Sequence, residues 1–186
     1  MNLVDVIIPT YKPDNKFLVS IKRLLAQTVA LGKIIIINTD KAVWDKTGIE
    51  EKLKELFEES DTELRLEHIE KQDFDHGATR NFGVSKSKAE YFVCMTQDAV
   101  CFDKKTIEYL LRGMDKSIKM TYARQVPDKN ANKIEKFTRE FNYPAESMIK
   151  SFNERQTLGI KTYFASVRHM KEKLLMLWED LIPDRF

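Results

Sequence analysis

Short, almost uniformly apolar runs of strand length are the feature that most restricts how this chain can fold. They occur at residues 4–8, 34–37 and 91–95, and residues 63–69 alternate between apolar and polar side chains. Segments with helical spacing of apolar residues separate and follow them, at 17–25, 49–57, 79–88 and 104–116. Strands alternating with helices predict an α/β fold, a mostly parallel sheet with helices on both faces.

Composition predicts one compact, globular domain. The chain has 186 residues, of which 42% are hydrophobic and 10% aromatic, enough to build one core. Cys94 and Cys101 flank the end of one predicted strand, a spacing typical of neither a disulfide framework nor a zinc site. The first residues lack the basic region of a signal peptide, so we expect a reduced protein in the cytoplasm.

The charge of the chain argues against nucleic acid as a partner. Its 31 basic and 29 acidic side chains leave a formal charge of only +2. A modest basic surface would still favour contact with anionic lipid, so peripheral association with the cytoplasmic face of a membrane is an expectation.

Polar residues follow each predicted strand at the edge where an α/β sheet binds its ligands. They lie at 9–11, 38–40, 73–81 and 96–98. Ligands of such sheets bind outside the carboxyl ends of the strands. These four segments are therefore the candidate site.

Asp98 is an acidic residue at the point where the apolar character of the fourth strand ends. A carboxylate there needs water, donors or a cation to remain ionised. With a diphosphate ligand, a Mg²⁺ or Mn²⁺ ion held by one carboxylate and phosphate oxygens would fit. The alternative is that Asp98 caps the following turn, and the spacing alone favours neither.

The stretch "DFDHGATRN" is dense in groups that bind anions or metals. Gly77 would let the backbone approach a ligand, a helix starting near Ala78 would direct free N–H groups at an anion, and Arg80 offers a planar fork for phosphate. The alternative is an ordinary helix cap beside a solvated arginine.

Several familiar enzyme signatures are absent from the sequence. No glycine-rich turn follows the first strand and no phosphate-loop lysine motif occurs, which argues against dehydrogenases and P-loop enzymes. His68, His76 and His169 do not form a metal-ligand pattern, and there is no Gly-x-Ser-x-Gly elbow.

The blocks "VDVIIPTYKP", "IIIINTD", "FDHGATRNFGVSKSKAEYFVCMTQDAV", "RQVPDKNANKIEKFTREFNYPAES" and "LGIKTYFAS" together resemble one family. Over about residues 3–166 the chain is similar to bacterial rhamnosyltransferases of glycosyltransferase family 2, which have the GT-A fold. "HGATRN", "TQDA" and "FNYPAES" carry most of the specificity, since many nucleotide-sugar enzymes share "IIPTY".

The resemblance implies inverting transfer of a sugar, L-rhamnose from dTDP-rhamnose, to a saccharide or lipid-linked acceptor in polysaccharide biosynthesis. It aligns Asp98 with the last acid of an Asp-x-Asp metal motif, in which Thr96 replaces the first acid. The resemblance therefore implies that Asp98 holds Mg²⁺ or Mn²⁺. The implied nucleotide-sugar site comprises Pro9, Thr10, Tyr11, Asn38, Thr39, Asp75, His76, Arg80, Asn81, Gln97 and Asp98.

The last twenty residues depart from this resemblance. Relatives continue through an acceptor-side segment to the general base, so we expect residues 1–166 to form a nucleotide-sugar-binding domain without that base, truncated on its acceptor side. The abrupt change at 167–186 suggests a frameshift in the gene. The tail's apolar spacing predicts an amphipathic helix, on the positions Leu174, Leu175, Leu177, Trp178 and Leu181.

Two other classes of function stay open at this point. One is a catalytically inactive module that still binds dTDP or a dTDP-sugar. The other is an interaction protein, including a homo-oligomer, whose bared apolar surface pairs with another chain.

Overall fold

A parallel β-sheet forms the centre of the protein. The computed structural model describes residues 4–114, 118, 120–127, 130–142 and 173–176. Its strands are β1 (Val4–Thr10), β2 (Leu31–Thr39), β3 (Glu63–Ile69), β4 (Tyr91–Cys94), β5 (Met120–Tyr122) and β6 (Lys173–Met176). Within these ranges they form one sheet of order β3-β2-β1-β4-β6-β5, and each neighbouring pair is parallel.

Helices follow most of the strands. They are α1 (Asn15–Leu25), α2 (Lys41–Trp44), α3 (Ile49–Glu58), α4 (His76–Ser85), α5 (Thr106–Arg112) and α6 (Lys133–Asn142), and a 3₁₀ turn (Lys71–Asp73) precedes α4. The carboxylate of Asp14 begins α1 by accepting hydrogen bonds from the N–H groups of Lys16 and Phe17, at 2.8 and 3.3 Å.

Two apolar layers enclose the sheet, one on each face. The larger layer packs α1, α3 and α5 against side chains that alternate along the strands, such as Val6, Ile8, Ile34, Ile36 and Val93. The other layer packs α4 against Ile7, Ile35, Ile37, Phe92 and Cys94. Strands buried on both faces explain why the sequence runs are apolar at consecutive positions rather than at alternate ones.

The α/β fold predicted from the sequence is confirmed, because a parallel sheet lies between two layers of helices. The helix predicted for the C-terminal tail is wrong at Lys173–Met176, which form β6 between β4 and β5. The rest of that tail lies outside the described residues. In the described ranges, no helix is both long enough and apolar enough to cross a membrane.

Asp5 is a buried carboxylate near the start of β1. Its Oδ1 accepts a 2.8 Å hydrogen bond from the backbone N–H of Lys33, and its Oδ2 accepts one of 2.6 Å from the hydroxyl of Ser87. The register between β1 and β2 shifts between Val4 and Val6, so the carboxylate satisfies a backbone donor at this irregularity of the ladder. Asp5 is therefore a structural acid, far from the ligand-binding edge.

Gly83 lets α4 approach β1 closely. A Cβ atom at this position would lie 2.4 Å from Cγ2 of Ile7, a fully buried and β-branched side chain. Replacing an exposed glycine in a helix with alanine usually raises the free energy of unfolding by roughly 1 kcal/mol. At Gly83 we expect the opposite sign, because the added methyl group overlaps the sheet.

Replacing Gly83 with alanine should lower the free energy of unfolding by about 1–3 kcal/mol, the usual range for overpacking a core. Urea denaturation of Gly83→Ala, Ile7→Ala and the double variant tests this. Ile7→Ala removes Cγ2, so the double variant should be more stable than the sum of the two single effects predicts. A Gly83→Ala protein as stable as wild type would contradict the close approach.

Candidate functional site

The strand order creates a natural binding position between β1 and β4. From β1 the sheet continues to β2 on one side and to β4 on the other. The loops after β1 and β4 therefore lie side by side at the carboxyl edge of the sheet, the edge at which α/β sheets bind their ligands. Tyr11, Gln97 and Asp98 follow these two strands closely, so the topology places these predicted site residues at that edge.

Gln97 joins the loop after β1 to the loop after β4. Its Oε1 accepts a 2.8 Å hydrogen bond from the backbone N–H of Tyr11, and its Nε2 donates a 3.1 Å bond to the carbonyl of Tyr11. The ring of Tyr11 is 37% exposed, with Nζ of Lys12 lying 5.1 Å from its centroid. The loop after β1 thus presents an aromatic and a cationic side chain to solvent at the carboxyl edge of the sheet.

Asp98 lies exposed on the turn after β4, and the chain that follows it is anchored to α1. The hydroxyl of Ser20 donates a 2.6 Å hydrogen bond to the carbonyl of Ala99. Just past the end of α1, Nε2 of Gln27 donates a 2.8 Å bond to the carbonyl of Asp103. The turn carrying Asp98 is therefore fixed by Gln97 on one side and by α1 on the other.

A buried polar network crosses the carboxyl ends of β1, β2 and β3. Oγ1 of Thr10 donates a 3.4 Å bond to Oδ1 of Asn38, and Nδ2 of Asn38 lies 3.0 Å from Nδ1 of His68. Asn38 is completely buried and Thr10 is 3% exposed. Buried polar groups with mutual partners give a rigid floor to this edge of the sheet.

His68 is a site-edge residue that the sequence reasoning did not place. Its ring packs edge-on against Trp44, with centroids 5.8 Å apart, and Nε1 of Trp44 donates a 3.1 Å bond to Glu50. The signal was present, because the alternation of "ELRLEHI" and the parallel register put His68 directly beside Asn38.

Thr39 and the backbone near it carry features typical of a binding edge. Oγ1 of Thr39 is buried and has no hydrogen-bond partner within the described part of the chain. Among those residues, the non-glycine positions with positive φ are Lys12 (50°) and Asp40 (68°), in the loops after β1 and β2. Strained backbone of this kind concentrates at functional sites, because surrounding structure has to hold it in place.

Asp75 begins α4, and this changes the phosphate-binding hypothesis. The helix starts at His76 rather than near Ala78, and Oδ1 of Asp75 accepts hydrogen bonds from the N–H groups of Gly77 and Ala78, at 2.9 and 2.7 Å. The expectation that free N–H groups point at an anion is wrong for these two groups. A carboxylate already occupies them, so Asp75 is a helix cap and its negative charge disfavours a phosphate there.

His76 is the first residue of α4, and Arg80 lies one turn further along the helix. Nη1 of Arg80 donates a 2.8 Å bond to the carbonyl of His76, and the ring of His76 is exposed and packs edge-on against Phe74 at 4.9 Å. Burial raises the pKa of the Cys94 thiol to about 12, and the positive charge of Arg80 opposes this shift. The charge of Arg80 therefore acts on Cys94, the last residue of β4.

The acidic residues at this edge fit a metal ion only if a bound phosphate supplies the remaining ligands. No group of three or more His, Cys, Asp or Glu side chains is arranged to hold an ion in the ranges that the structure describes. Asp98 supplies one exposed hard oxygen donor group. Mg²⁺ in nucleotide sites needs only one or two carboxylates, because phosphate oxygens complete its shell, and Asp98 fits that arrangement.

The structure joins several of the predicted site residues by hydrogen bonds. Thr10 bonds Asn38 and Tyr11 bonds Gln97, while Asp75, His76 and Arg80 make contacts within their own segment. Pro9 pairs in register with Ile37, and Asn81 is half-buried on α4.

Comparison with known proteins gives a consistent set of relatives. The family model described as "Glycosyl transferase family 2" matches residues 5–171. The chain is 33% identical over 166 residues to the O-antigen chain rhamnosyltransferase RfbN of Salmonella typhimurium, which covers 88% of the chain and 50% of RfbN. It is 39% identical over 100 residues to the O-antigen chain rhamnosyltransferase WbaN of Salmonella anatum, covering 53% of the chain and 32% of WbaN.

The chain spans half the length of RfbN and about a third of WbaN. Among solved structures it is similar to residues 1–349 of S. aureus TarS, with 20% identity and a TM-score of 0.48. That match covers 67% of the chain and 38% of the TarS fragment.

Proposed function

The chain belongs to glycosyl transferase family 2, and on that premise we propose that its sheet edge binds a nucleotide-sugar donor for the synthesis of a polysaccharide. The rhamnosyltransferase names of its relatives support rhamnose as the sugar. As part of the same proposal, the sugar is L-rhamnose and its donor is dTDP-rhamnose. The acceptor is a saccharide or a lipid-linked saccharide.

The observation that carries this proposal is the hydrogen-bonded pairing of the loops after β1 and β4. The Tyr11–Gln97 hydrogen bonds hold the aromatic rim of the first loop beside the turn that bears Asp98. A donor needs an apolar surface for its base and charged groups for its diphosphate. Tyr11 supplies the first, while Lys12, Arg80 and an Asp98-bound cation supply the second.

The proposed transfer is an inverting displacement. An acceptor hydroxyl oxygen bonds to the anomeric carbon from the face opposite the diphosphate, and the bond from that carbon to the β-phosphate oxygen breaks. The nucleotide leaves with the bonding electrons, and the hydroxyl proton passes to a general base. We assign no base among the described residues.

Asp98 is the residue that would hold Mg²⁺ or Mn²⁺. When bound, such an ion offsets the negative charge that collects on the departing diphosphate. The residues of the chain orient the donor: the rigid Thr10–Asn38–His68 floor limits its position, and the fixed turn keeps the carboxylate of Asp98 at the rim.

Calorimetric titration with dTDP, UDP and GDP, each with and without Mn²⁺, tests this proposal. We expect binding that depends on Mn²⁺ and that is roughly tenfold tighter for dTDP, the discrimination that one well-placed base contact supplies. If dTDP binds no better than UDP and GDP, the rhamnosyl assignment fails. If none of the three binds, the nucleotide-sugar function fails as a whole.

Catalysis and binding are separate outcomes of this proposal. Incubation with dTDP-rhamnose and Mn²⁺ should release dTDP if the chain itself performs the transfer or hydrolyses the donor. Tight binding of dTDP without release would assign the chain as an inactive nucleotide-sugar-binding module, the second class of function that the sequence leaves open.

An interaction role is the other candidate, and α6 is the observation that favours it. Ile134, Phe137 and Phe141 lie at helical spacing and are 68–79% exposed, with the two phenylalanine rings stacked at 6.1 Å. An apolar helix face of this size is typical of a surface that pairs with another chain. Sedimentation that shows only monomer across a wide concentration range would count against self-association.

We also place the protein in the cytoplasm, where the nucleotide-sugar site would meet a reducing environment. Cys94 and Cys101 are both free and buried, and burial raises the pKa of the Cys101 thiol to about 11. Both thiols remain protonated at neutral pH and unreactive, which suits such a compartment.

A further inference from the structure

The side chain of Gln97 is committed to the backbone of one residue, Tyr11. Its carbonyl oxygen accepts from the N–H of Tyr11 at 2.8 Å and its amide nitrogen donates to the carbonyl of Tyr11 at 3.1 Å. A primary amide that pairs with both backbone groups of one residue makes the two-bond exchange that is seen between antiparallel strands. Gln97 therefore extends the contact between the parallel strands β1 and β4 by a side-chain pairing beyond their ladder.

The ladder between β1 and β4 ends close to this position. The last backbone bond between the two strands runs from the N–H of Met95 to the carbonyl of Ile7, at 3.1 Å. Beyond it β1 continues through Pro9, which has no N–H, and the chain after β4 bends into the turn that carries Asp98. The Gln97 amide therefore joins the loop after β1 to that turn with two hydrogen bonds.

We propose that Gln97 is a positioning residue for the donor site rather than a ligand of the donor. It sets the separation between Tyr11 and Asp98, the two groups that would bracket the nucleoside diphosphate. This inference rests on the proposed function and refines it, because it removes Gln97 from the predicted contact set and gives it a role through its neighbours. Its acceptor and one of its donors are already engaged, so little of the amide is left to read a ligand.

Two variants separate positioning from contact. Gln97→Met keeps the length of the side chain and removes both hydrogen bonds. Gln97→Glu keeps an acceptor for the N–H of Tyr11 but cannot donate to its carbonyl. Gln72→Ala is the matched control, since Gln72 is an exposed glutamine on the 3₁₀ turn before α4.

Amide hydrogen exchange of the ligand-free protein reads the pairing directly. We expect the Tyr11 amide to exchange slowly in wild type, in the Gln72→Ala variant and in Gln97→Glu, and quickly in Gln97→Met. In Gln97→Met the affinity for dTDP with Mn²⁺ should fall by about fivefold to tenfold, the effect of losing one to two ordinary hydrogen bonds. The midpoint of thermal unfolding should change little, because the pairing lies at an exposed edge.

The outcomes distinguish this inference from the proposed function. A wild-type protein that binds no nucleotide overturns both. Wild-type binding that Gln97→Met leaves unchanged overturns the inference alone. Loss of affinity in Gln97→Met with slow exchange retained at Tyr11 would make Gln97 a direct ligand, which also overturns it.

Discussion

Replacing Asp98 with asparagine should lower the Mn²⁺-dependent affinity for dTDP by roughly tenfold to a hundredfold, since a contact with a charged group contributes about 1.5–3 kcal/mol. The substitution keeps the shape of the side chain and removes its negative charge. The turn is already held by Gln97 and by the bond from Ser20 to Ala99, so the fold should be preserved. Titration calorimetry with and without Mn²⁺ measures the effect.

Asp61→Asn is the matched control for this experiment. Asp61 is also exposed, but it precedes β3 and so lies at the opposite edge of the sheet. Its replacement removes the same charge from the protein and should leave the affinity unchanged. If both variants bind equally well, the carboxylate of Asp98 does not hold the cation, and the metal assignment must be abandoned.

Replacing Asp5 with alanine should lower the free energy of unfolding by about 3 kcal/mol, the upper value for hydrogen bonds to a charged group. The variant leaves the Lys33 N–H and the Ser87 hydroxyl without their acceptor in a site where Asp5 is only 2% exposed. Denaturation by urea, with the slope of the transition checked against wild type, gives the value.

Two further variants test whether both bonds of Asp5 contribute. Asp5→Asn retains an acceptor for the Lys33 N–H, and the Ser87 hydroxyl can rotate to accept from the amide, so its loss should be smaller. Ser87→Ala removes one partner only and should lower stability by about 1 kcal/mol. Equal stabilities of Asp5→Ala and wild type would show that the carboxylate is not needed at the strand irregularity.

The sequence predicted the central strands well because their environment is simple. Strands buried on both faces need apolar side chains at every position, and β1, β2 and β4 show that pattern directly. The bounds predicted for β3, 63–69, agree with the structure because its half-buried residues alternate. The start of α4 was missed by three residues, since its first turn is built from a cap and small polar residues that carry no apolar period.

Non-local pairing accounts for the elements that the sequence did not reveal. The residues of β6 share their apolar spacing with a helix, and only parallel pairing with β4 and β5 makes them a strand. A four-residue apolar segment fits either structure, so tertiary contacts decide.

The position of the four loops was predictable, but the bonds between them were not. The order of the strands in the sequence predicted that these loops lie together at the carboxyl edge, and the parallel pairing of the strands puts them there. The pairing of Gln97 with Tyr11 joins residues 86 positions apart, and no local pattern encodes it. Asp75 shows the reverse case, because the alternative of a helix cap was visible in the sequence and proves to be its observed role.

Anchoring of the turn around Asp98 has a kinetic consequence. Its two flanking residues are held before any ligand arrives, one by Tyr11 and one by Ser20, so this part of the protein loses little conformational entropy on capture of a donor. The rate of association at this turn would then be set by the diffusional encounter of donor and protein rather than by closure of a mobile lid.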